Sequence, residues 1–268
     1  MSLEKIRAII DKEFDEIMKN KMILSTILLL PLLFAIIIPV ALIGTVFMAG
    51  DAGLTQNETA KYIGMLPGGG TGNAQESLVL YFATACLPFF MMLPAFLPAI
   101  ISSYSIIGEK KNRTLEPLLA APVSVYDIMI GKALAALIPS LLATWISTLI
   151  FFAITTAITI SALGRPVLPD LLPWVVGMLA FAPLVAFLGI MATIIISSKV
   201  SDPRVAQQIS ALFVIPIMGL FIMQIMGLAL IDIKIMLVMV AIVLVVDVIT
   251  LRLGKFIFDR EEILTRWK

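Results

Sequence analysis

The placement of charge along this chain limits its fold more than any other feature. Residues 22–50, 77–108, 133–164, 171–198 and 205–231 contain no Asp, Glu, Lys or Arg, which makes five uncharged runs of 27 to 32 residues; 235–246 adds a sixth of 12. About 20 apolar residues cross the hydrocarbon core of a bilayer as a helix. A soluble core has no use for five such runs, and only 14% of this chain is charged against roughly 25% in an ordinary soluble domain. The expected fold is an all-α integral membrane protein.

Composition also removes several chemistries. The chain has no His and a single Cys, Cys86. That excludes His-ligated zinc or haem, a Ser-His or Cys-His nucleophile, and a disulfide within the chain. No catalytic residue, metal ligand or cofactor-binding residue is expected, and nothing points to nucleic acid.

The first run follows a charged segment of mixed sign and exceeds the ~7–15 residue apolar region of a secretory signal, so it reads as a retained span. Six spans are expected, over 22–49, 78–107, 133–163, 171–198, 205–231 and 235–251. The last contains Asp247, yet Ile235 to Leu251 still rises about 25 Å as a helix. Pro216, Gly219 and Gly227 fall inside the fifth, which fits a broken or re-entrant segment because irregular backbone is tolerated under protein cover.

Basic residues fix the orientation, since Lys and Arg are retained on the cytoplasmic side. Counted loop by loop, 16 of the 19 lie at the two termini, in 108–132 and in the loop between spans four and five; only Lys61, Arg165 and Lys234 lie on the other side. A multi-pass protein of the plasma membrane with both termini cytoplasmic follows. The 50–76 loop is then external. Its Pro67 to Gly72 stretch, PGGGTG, lacks the Lys-Ser or Lys-Thr of a phosphate-binding loop and reads as a linker. Asn57 heads an Asn-Glu-Thr tripeptide that fits a glycosylation acceptor.

Three cytoplasmic features stand out. Before the first span, Leu3, Ile6, Ile10, Phe14, Ile17 and Met18 recur every three or four residues, one apolar helical face. This helix, residues 1–21, fits the membrane interface with a bend near Asn20 or Lys21; packing on the protein's own surface is the alternative. The second feature is GEKKNRTLEPLLAAPVSVYDIMIGK, Gly108 to Lys132. Thr114 can cap a short helix that tolerates Pro117 in its first turn, shows Leu118 and Leu119 on one face and stops at Pro122. Ser124 to Asp127 matches a capping box, so the third helix should start at Val125. The exposed leucines need a cover, from this chain's helix ends or from a separate cytosolic partner. The third feature is the 252–268 tail, where basic and acidic residues alternate; a solvated extension and a partner contact both fit.

The Gly108–Lys132 segment resembles the signature of ABC transporter permeases of the ABC-2 exporter type. The matching residues are Glu109, Lys110, Lys111, Thr114, Leu115, Glu116, Leu118, Leu119, Pro122, Val123, Ser124, Gly131 and Lys132, with Asn112 and Arg113 standing where many relatives place a Gly before the Thr. KEFDEIMKNK near the start and FDREEIL, Phe258 to Leu264, are also similar to this family. The resemblance implies a six-span subunit that forms a homodimer or heterodimer with a second permease and rests on a cytosolic ABC ATPase. It also implies a coupling helix, with Glu109, Arg113, Thr114, Leu115, Glu116, Leu118, Leu119 and Pro122 as the coupling residues. Arg260, Glu261 and Glu262 would form a second ATPase contact. ATP and Mg would sit on that separate subunit, because no nucleotide-binding loop occurs in this chain.

Within the membrane, Pro88, Pro94 and Pro98 fall in eleven residues of the second span. Each removes a backbone donor and presses on the preceding turn, giving either a flexing element of the translocation path or a static bend. Phe82, Phe89, Phe90 and Phe96 line a route or pack. Asp247 is the one ionisable residue deep in a span, a gating or path candidate with a structural pairing as the alternative. A proton- or sodium-driven carrier usually needs several such groups, so energy from outside the membrane fits better. The expected function is an exporter permease working by alternating access. The alternative is a non-transporting anchor or mechanotransmitting subunit. The substrate does not follow from these residues.

Overall fold

The computed structural model describes residues 3–48, 64, 74–112, 114, 125–200, 202–226, 228 and 231–257, and among these every regular element is helical. Helix α1 covers Leu3–Lys19. The chain turns at Asn20, whose extended backbone and side-chain oxygen cap the next helix by accepting from Met22 and Ile23 N–H. Helix α2, Lys21–Ile38, runs through a π-turn at Pro39–Ile43 into α3, Gly44–Met48. Then come α4 (Ala74–Ala85), α5 (Leu87–Lys111), α6 (Val125–Leu163), α7 (Leu171–Val176) and α8 (Ala182–Lys199), the last two joined by a π-turn. Short α9 (Pro203–Ser210), α10 (Ile215–Ile225) and long α11 (Ile233–Ile257) complete the chain.

Five helical segments are long and apolar enough to cross a membrane: Lys21–Ile43, Ala74–Glu109, Asp127–Leu163, Leu171–Ser197 and Ile233–Arg252. The bent pair α9 and α10, at 50° to each other across a break, makes six if counted as one. The break lies at Ala211–Val214, a 3-10 turn, with Pro216 following at the start of α10. Helix α6 has 39 residues, about 58 Å at 1.5 Å per residue, so it extends past a ~30 Å hydrocarbon core. Gly164 ends it with φ of 71°, a conformation that a side chain would strain.

The second span is where local chemistry and expectation part. Its break is a single turn at Cys86 between α4 and α5, just ahead of Pro88, while α5 remains α-helical through Pro94 and Pro98. Pro88 removes the donor that would bind the Thr84 carbonyl and its ring crowds that carbonyl, which sets the break two residues ahead of Pro88 and more than two turns ahead of Pro94. Below the break, α5 packs more extensively on α8 than on any other described helix. A Cβ built on Gly189 of α8 would lie 2.6 Å from the Ala95 carbonyl oxygen of α5, so backbone meets backbone there, as small residues permit between helices in lipid.

Aromatic rings tie the middle layer together. Phe90 is fully buried, with ring centroids 4.9 Å from Phe151 and 5.7 Å from Trp174; Trp174 stacks on Phe151 at 5.5 Å, while Phe89 meets Phe34 at 4.9 Å and Phe221 at 5.4 Å. Phe89 and Phe90 are packing residues joining α2, α5, α6, α7 and α10. Ser140, Thr144 and Thr148 in α6 donate to carbonyls one turn back, those of Ala136, Ser140 and Thr144, which satisfies these hydroxyls without water.

Candidate functional site

Tertiary polar contacts sort the helix ends onto two faces. On the far face, Arg165 pairs with Glu76 and the Tyr81 hydroxyl donates to the Gln224 carbonyl, linking α4 to the segment just after α6 and to the end of α10. On the near face, the Gln207 side-chain amide donates to Ser103 Oγ at 3.0 Å, and α1 lies across the end of α5 and the start of α6.

Helix α1 is held there by a stripe at spacings of three and four. Ile6, Ile9 and Ile17 are buried, and Glu13 between them is 2% exposed. Phe14 and Met18 of the same apolar set point outward instead. Thus the single apolar face read from the sequence divides into two: one against α6 and one free. Gly131 of α6 makes the contact close, because a Cβ there would sit 2.8 Å from Ile9 Cγ2 and 2.9 Å from Ile9 Cβ. The residue after that glycine, Lys132, then meets Glu13.

Around this contact lies a cluster of four charged side chains and one hydroxyl. Lys132 Nζ is 2.5 Å from Glu13 Oε1, 3.0 Å from Glu109 Oε1 and 2.7 Å from Ser105 Oγ. Ser105 donates to Glu13 Oε2 at 2.6 Å, and Lys12 Nζ reaches Glu109 Oε1 at 2.6 Å. Glu13, Glu109 and Lys132 are all at least nine-tenths buried, whereas Lys12 is partly exposed and also lies 3.4 Å from Glu16. Two ammonium groups face two buried carboxylates, so the cluster is neutral within itself. A buried charge is tolerated only when so paired.

Burial works against both charged forms, and the partners overcome it. For Glu13, burial favours the neutral acid, but the charge and hydrogen bond of Lys132, the Ser105 hydroxyl and the charge of Lys12 hold the carboxyl below its ordinary value. For Lys12, burial favours the free amine, but the hydrogen bond and charge of Glu109, followed by Glu13 and Glu16, hold the ammonium above its ordinary value. A lowered carboxyl contributes stability that is present above its unfolded pKa and is lost as pH falls through the folded one; a raised amine contributes stability that is present below its unfolded pKa and is lost as pH rises through the folded one. With ordinary values near 4.3 and 10.4, thermal stability should be flat from about pH 5 to about pH 10 and fall on acidification below about pH 4. The Lys12 share is small because that group is half in solvent. Glu13→Gln should flatten the acid limb; an unchanged acid limb in that variant would remove Glu13 from the account.

The cluster encloses the 108–132 loop from both ends. Glu109 stands at its start and Lys132 closes it, and both are tied to α1. Of the residues expected to couple, Glu109 therefore faces inward, and its Oε2 has no hydrogen-bond partner among the described residues. Thr114 is exposed and its N–H donates to the Glu109 carbonyl at 3.0 Å. Arg113, Leu115, Glu116, Leu118, Leu119 and Pro122 lie outside the described residues, as do Arg260, Glu261 and Glu262 of the tail, Asn57 and the Pro67–Gly72 linker. Among described residues no group of His, Cys, Asp or Glu is placed to hold a metal ion.

Lys12, Glu13, Ser105 and Gly131 were not singled out as site residues by sequence reasoning. Glu13 carried a usable signal, an acid at the centre of the Ile6, Ile9 and Ile17 stripe; Ser105 carried none. The remaining membrane candidates do not join this site. Asp247 is 5% exposed on the inner seam of α11, and neither of its carboxylate oxygens has a hydrogen-bond partner among the described residues. Its helix packs on α7, the π-turn at 177–181 and α8.

A family model described as ABC-2 family transporter protein matches residues 7–239, a range that runs from α1 through the cluster, the loop and the bent pair into α11. No curated protein matches the chain. With most of its length inside that match and five or six helices able to cross a membrane, the chain belongs to the ABC-2 transporter family, as a multi-pass membrane component of ABC-type transport.

Proposed function

We propose that this chain is the permease subunit of an ATP-driven exporter whose ATP and Mg are handled by a separate cytosolic ATPase. The near face is then cytoplasmic, as the 16 basic residues on that side support, and the membrane is the cell membrane. One observation carries the coupling role: Glu109 and Lys132, the two ends of the 108–132 loop, are 3.0 Å apart in a buried cluster that also grips α1. A load applied to the loop by the ATPase is thereby delivered to three helices together, α1, α5 and α6, rather than absorbed by a slack connection. Leu115, Glu116, Leu118, Leu119 and Pro122 supply the docked surface, Arg113 and Thr114 its entry, and Glu109 its inner anchor. Arg260, Glu261 and Glu262 are a second contact. The subunit works as a dimer by alternating access, with movement passing through the second span at the Cys86 break beside Pro88 while Pro94 and Pro98 stay within a rigid rod. Asp247 belongs to the gating path. That Asp247 is the one Asp, Glu, Lys or Arg deep in an expected span supports energy supplied by a partner instead of an ion gradient.

The test is copurification. The purified chain should hydrolyse no ATP alone and should bring down its ATPase, and Glu116→Ala with Leu118→Ala should weaken that association at least tenfold. Unchanged association with normal transport in reconstituted vesicles would overturn the coupling assignment. ATPase stimulation with no solute moved in either direction would instead favour a mechanotransmitting subunit.

A further inference from the structure

The second span carries a buried acid at each end, and the third answers each with a base at its own end or just beyond it. Glu109 meets Lys132 on the near face, and Glu76 meets Arg165, just past α6, on the far face. The two pairs differ in cover. Both side chains of the near pair are buried, Glu109 at 4% exposure and Lys132 at 6%, whereas on the far face the Glu76 side chain is 9% exposed and that of Arg165 62%. Water reaches the far pair, so salt screens it and its partners separate with little desolvation to oppose them. The near pair has no such release.

Glu76 also stands on the more loosely attached half of its span. Beyond the Cys86 break, Leu78, Val79 and Ala83 of α4 pack with Ile43, Val46 and Val167 in a small apolar cluster of their own, apart from the core that holds α5 and the aromatic layer. Contact of α4 with any other described helix is slight, while α5 is fixed along α8. Two polar ties hold α4 on the far face: Arg165 on Glu76, and the Tyr81 hydroxyl on the Gln224 carbonyl at the end of α10. The base is held out to meet its acid. Gly164 turns the chain with φ of 71°, and the Val167 N–H donates to Thr159 Oγ1 at 3.2 Å, which pins the loop back on α6. A short helix with its own small core, a break at one end and exposed ties toward the other has the construction of a hinged element.

We propose that α4 is an outer gate. It swings at the Cys86 break, the Glu76–Arg165 pair and the Tyr81–Gln224 hydrogen bond are its latch, and the buried Glu109–Lys132 cluster keeps the near ends of spans two and three together while the far end opens. The inference rests on the transport reading above, which requires the far face to open.

The full chain carrying Ala83→Cys, at a buried position of α4, is reconstituted in phosphatidylcholine vesicles without ATPase and exposed to a membrane-impermeant maleimide. The chain with native Cys86 alone, also buried, is the blank. Labelling at 83 should be slow. Arg165→Gln and Glu76→Gln should each speed it about three- to fivefold, Tyr81→Phe should speed it further in either background, and Arg165→Lys, which keeps the charge, should leave it slow. Raising sodium chloride from about 0.05 M to about 0.5 M should speed labelling while the pair is intact and have no effect in Arg165→Gln. The salt series on the Ala83→Cys chain needs no substitution at the latch, so it reads the pair even where a latch variant fails to fold. Labelling indifferent to salt, or equally fast in Arg165→Lys and Arg165→Gln, overturns the proposal. Because these rates are measured without ATPase, a failure of ATPase copurification leaves them unaltered, and the two readings fail separately.

Discussion

Gly189→Leu is expected to eliminate folded protein from the membrane. The atom that a Cβ at 189 would strike is the Ala95 carbonyl oxygen, 2.6 Å away, with the Ala95 carbonyl carbon at 3.5 Å and Cα at 3.8 Å. These are backbone atoms of a helix and no rotamer relieves them. Even Gly189→Ala must push α8 away from α5, the helix pair with the most extensive contact in the described structure, at a cost of about 1–3 kcal/mol; leucine adds a branched group to the same gap. Gly177 is the control. A Cβ there meets Leu87 Cδ1 and Met236 Cε at 3.3 Å and Met236 Sδ at 3.8 Å, all atoms of flexible side chains, so Gly177→Ala should express and unfold near the wild-type temperature. Detergent-solubilised yield and thermal unfolding of the three variants read the difference directly. Equal behaviour of Gly189→Leu and Gly177→Ala would mean that spans two and four do not meet through their backbones.

Lys132→Met is the second large effect. It keeps the side-chain length but leaves Glu13 and Glu109, 2.5 Å and 3.0 Å from the missing ammonium, with only Lys12 to serve both. Removing one partner of a buried ion pair costs about 3–5 kcal/mol, and because Lys12 already reaches Glu109 at 2.6 Å and Glu13 at 3.6 Å the lower end is expected. A companion variant separates packing from transmission. Lys132→Met with Glu13→Leu and Glu109→Leu removes the stranded charges, and such apolar replacements are often neutral or stabilising, so thermal stability should return to within about 1 kcal/mol of wild type. ATP-dependent transport in vesicles should not return. Restored transport in that triple variant would show that the cluster only holds α1 in place.

Several parts of this protein were legible in residue order because they are written locally. Charge exclusion over 27 or more residues needs no tertiary information, since an unpaired charge in hydrocarbon is costly wherever the helix sits. The turn at Asn20 was legible for the same reason; capping chemistry acts within four residues. The Cys86 break was only half legible. Three prolines announced an irregular second span, but which one would break it depends on what surrounds each freed carbonyl. The two-sided character of α1 was not legible at all, because a stripe of Ile, Phe and Met looks the same whether it meets protein or lipid.

What the residue order determined by itself is a multi-span helical membrane protein with its basic residues gathered on one side, a consequence of transfer energies that act on each segment separately. What only the tertiary structure decided is which charges are structural. Lys12, Glu13, Ser105, Glu109 and Lys132 are spread over more than 100 residues and on three helices, and their distances follow from how closely α1 is allowed to approach at Gly131. The resemblance made Glu109 a coupling residue; packing adds that its side chain is buried between two lysines, because an acid at such a helix junction is cheaper paired than left alone.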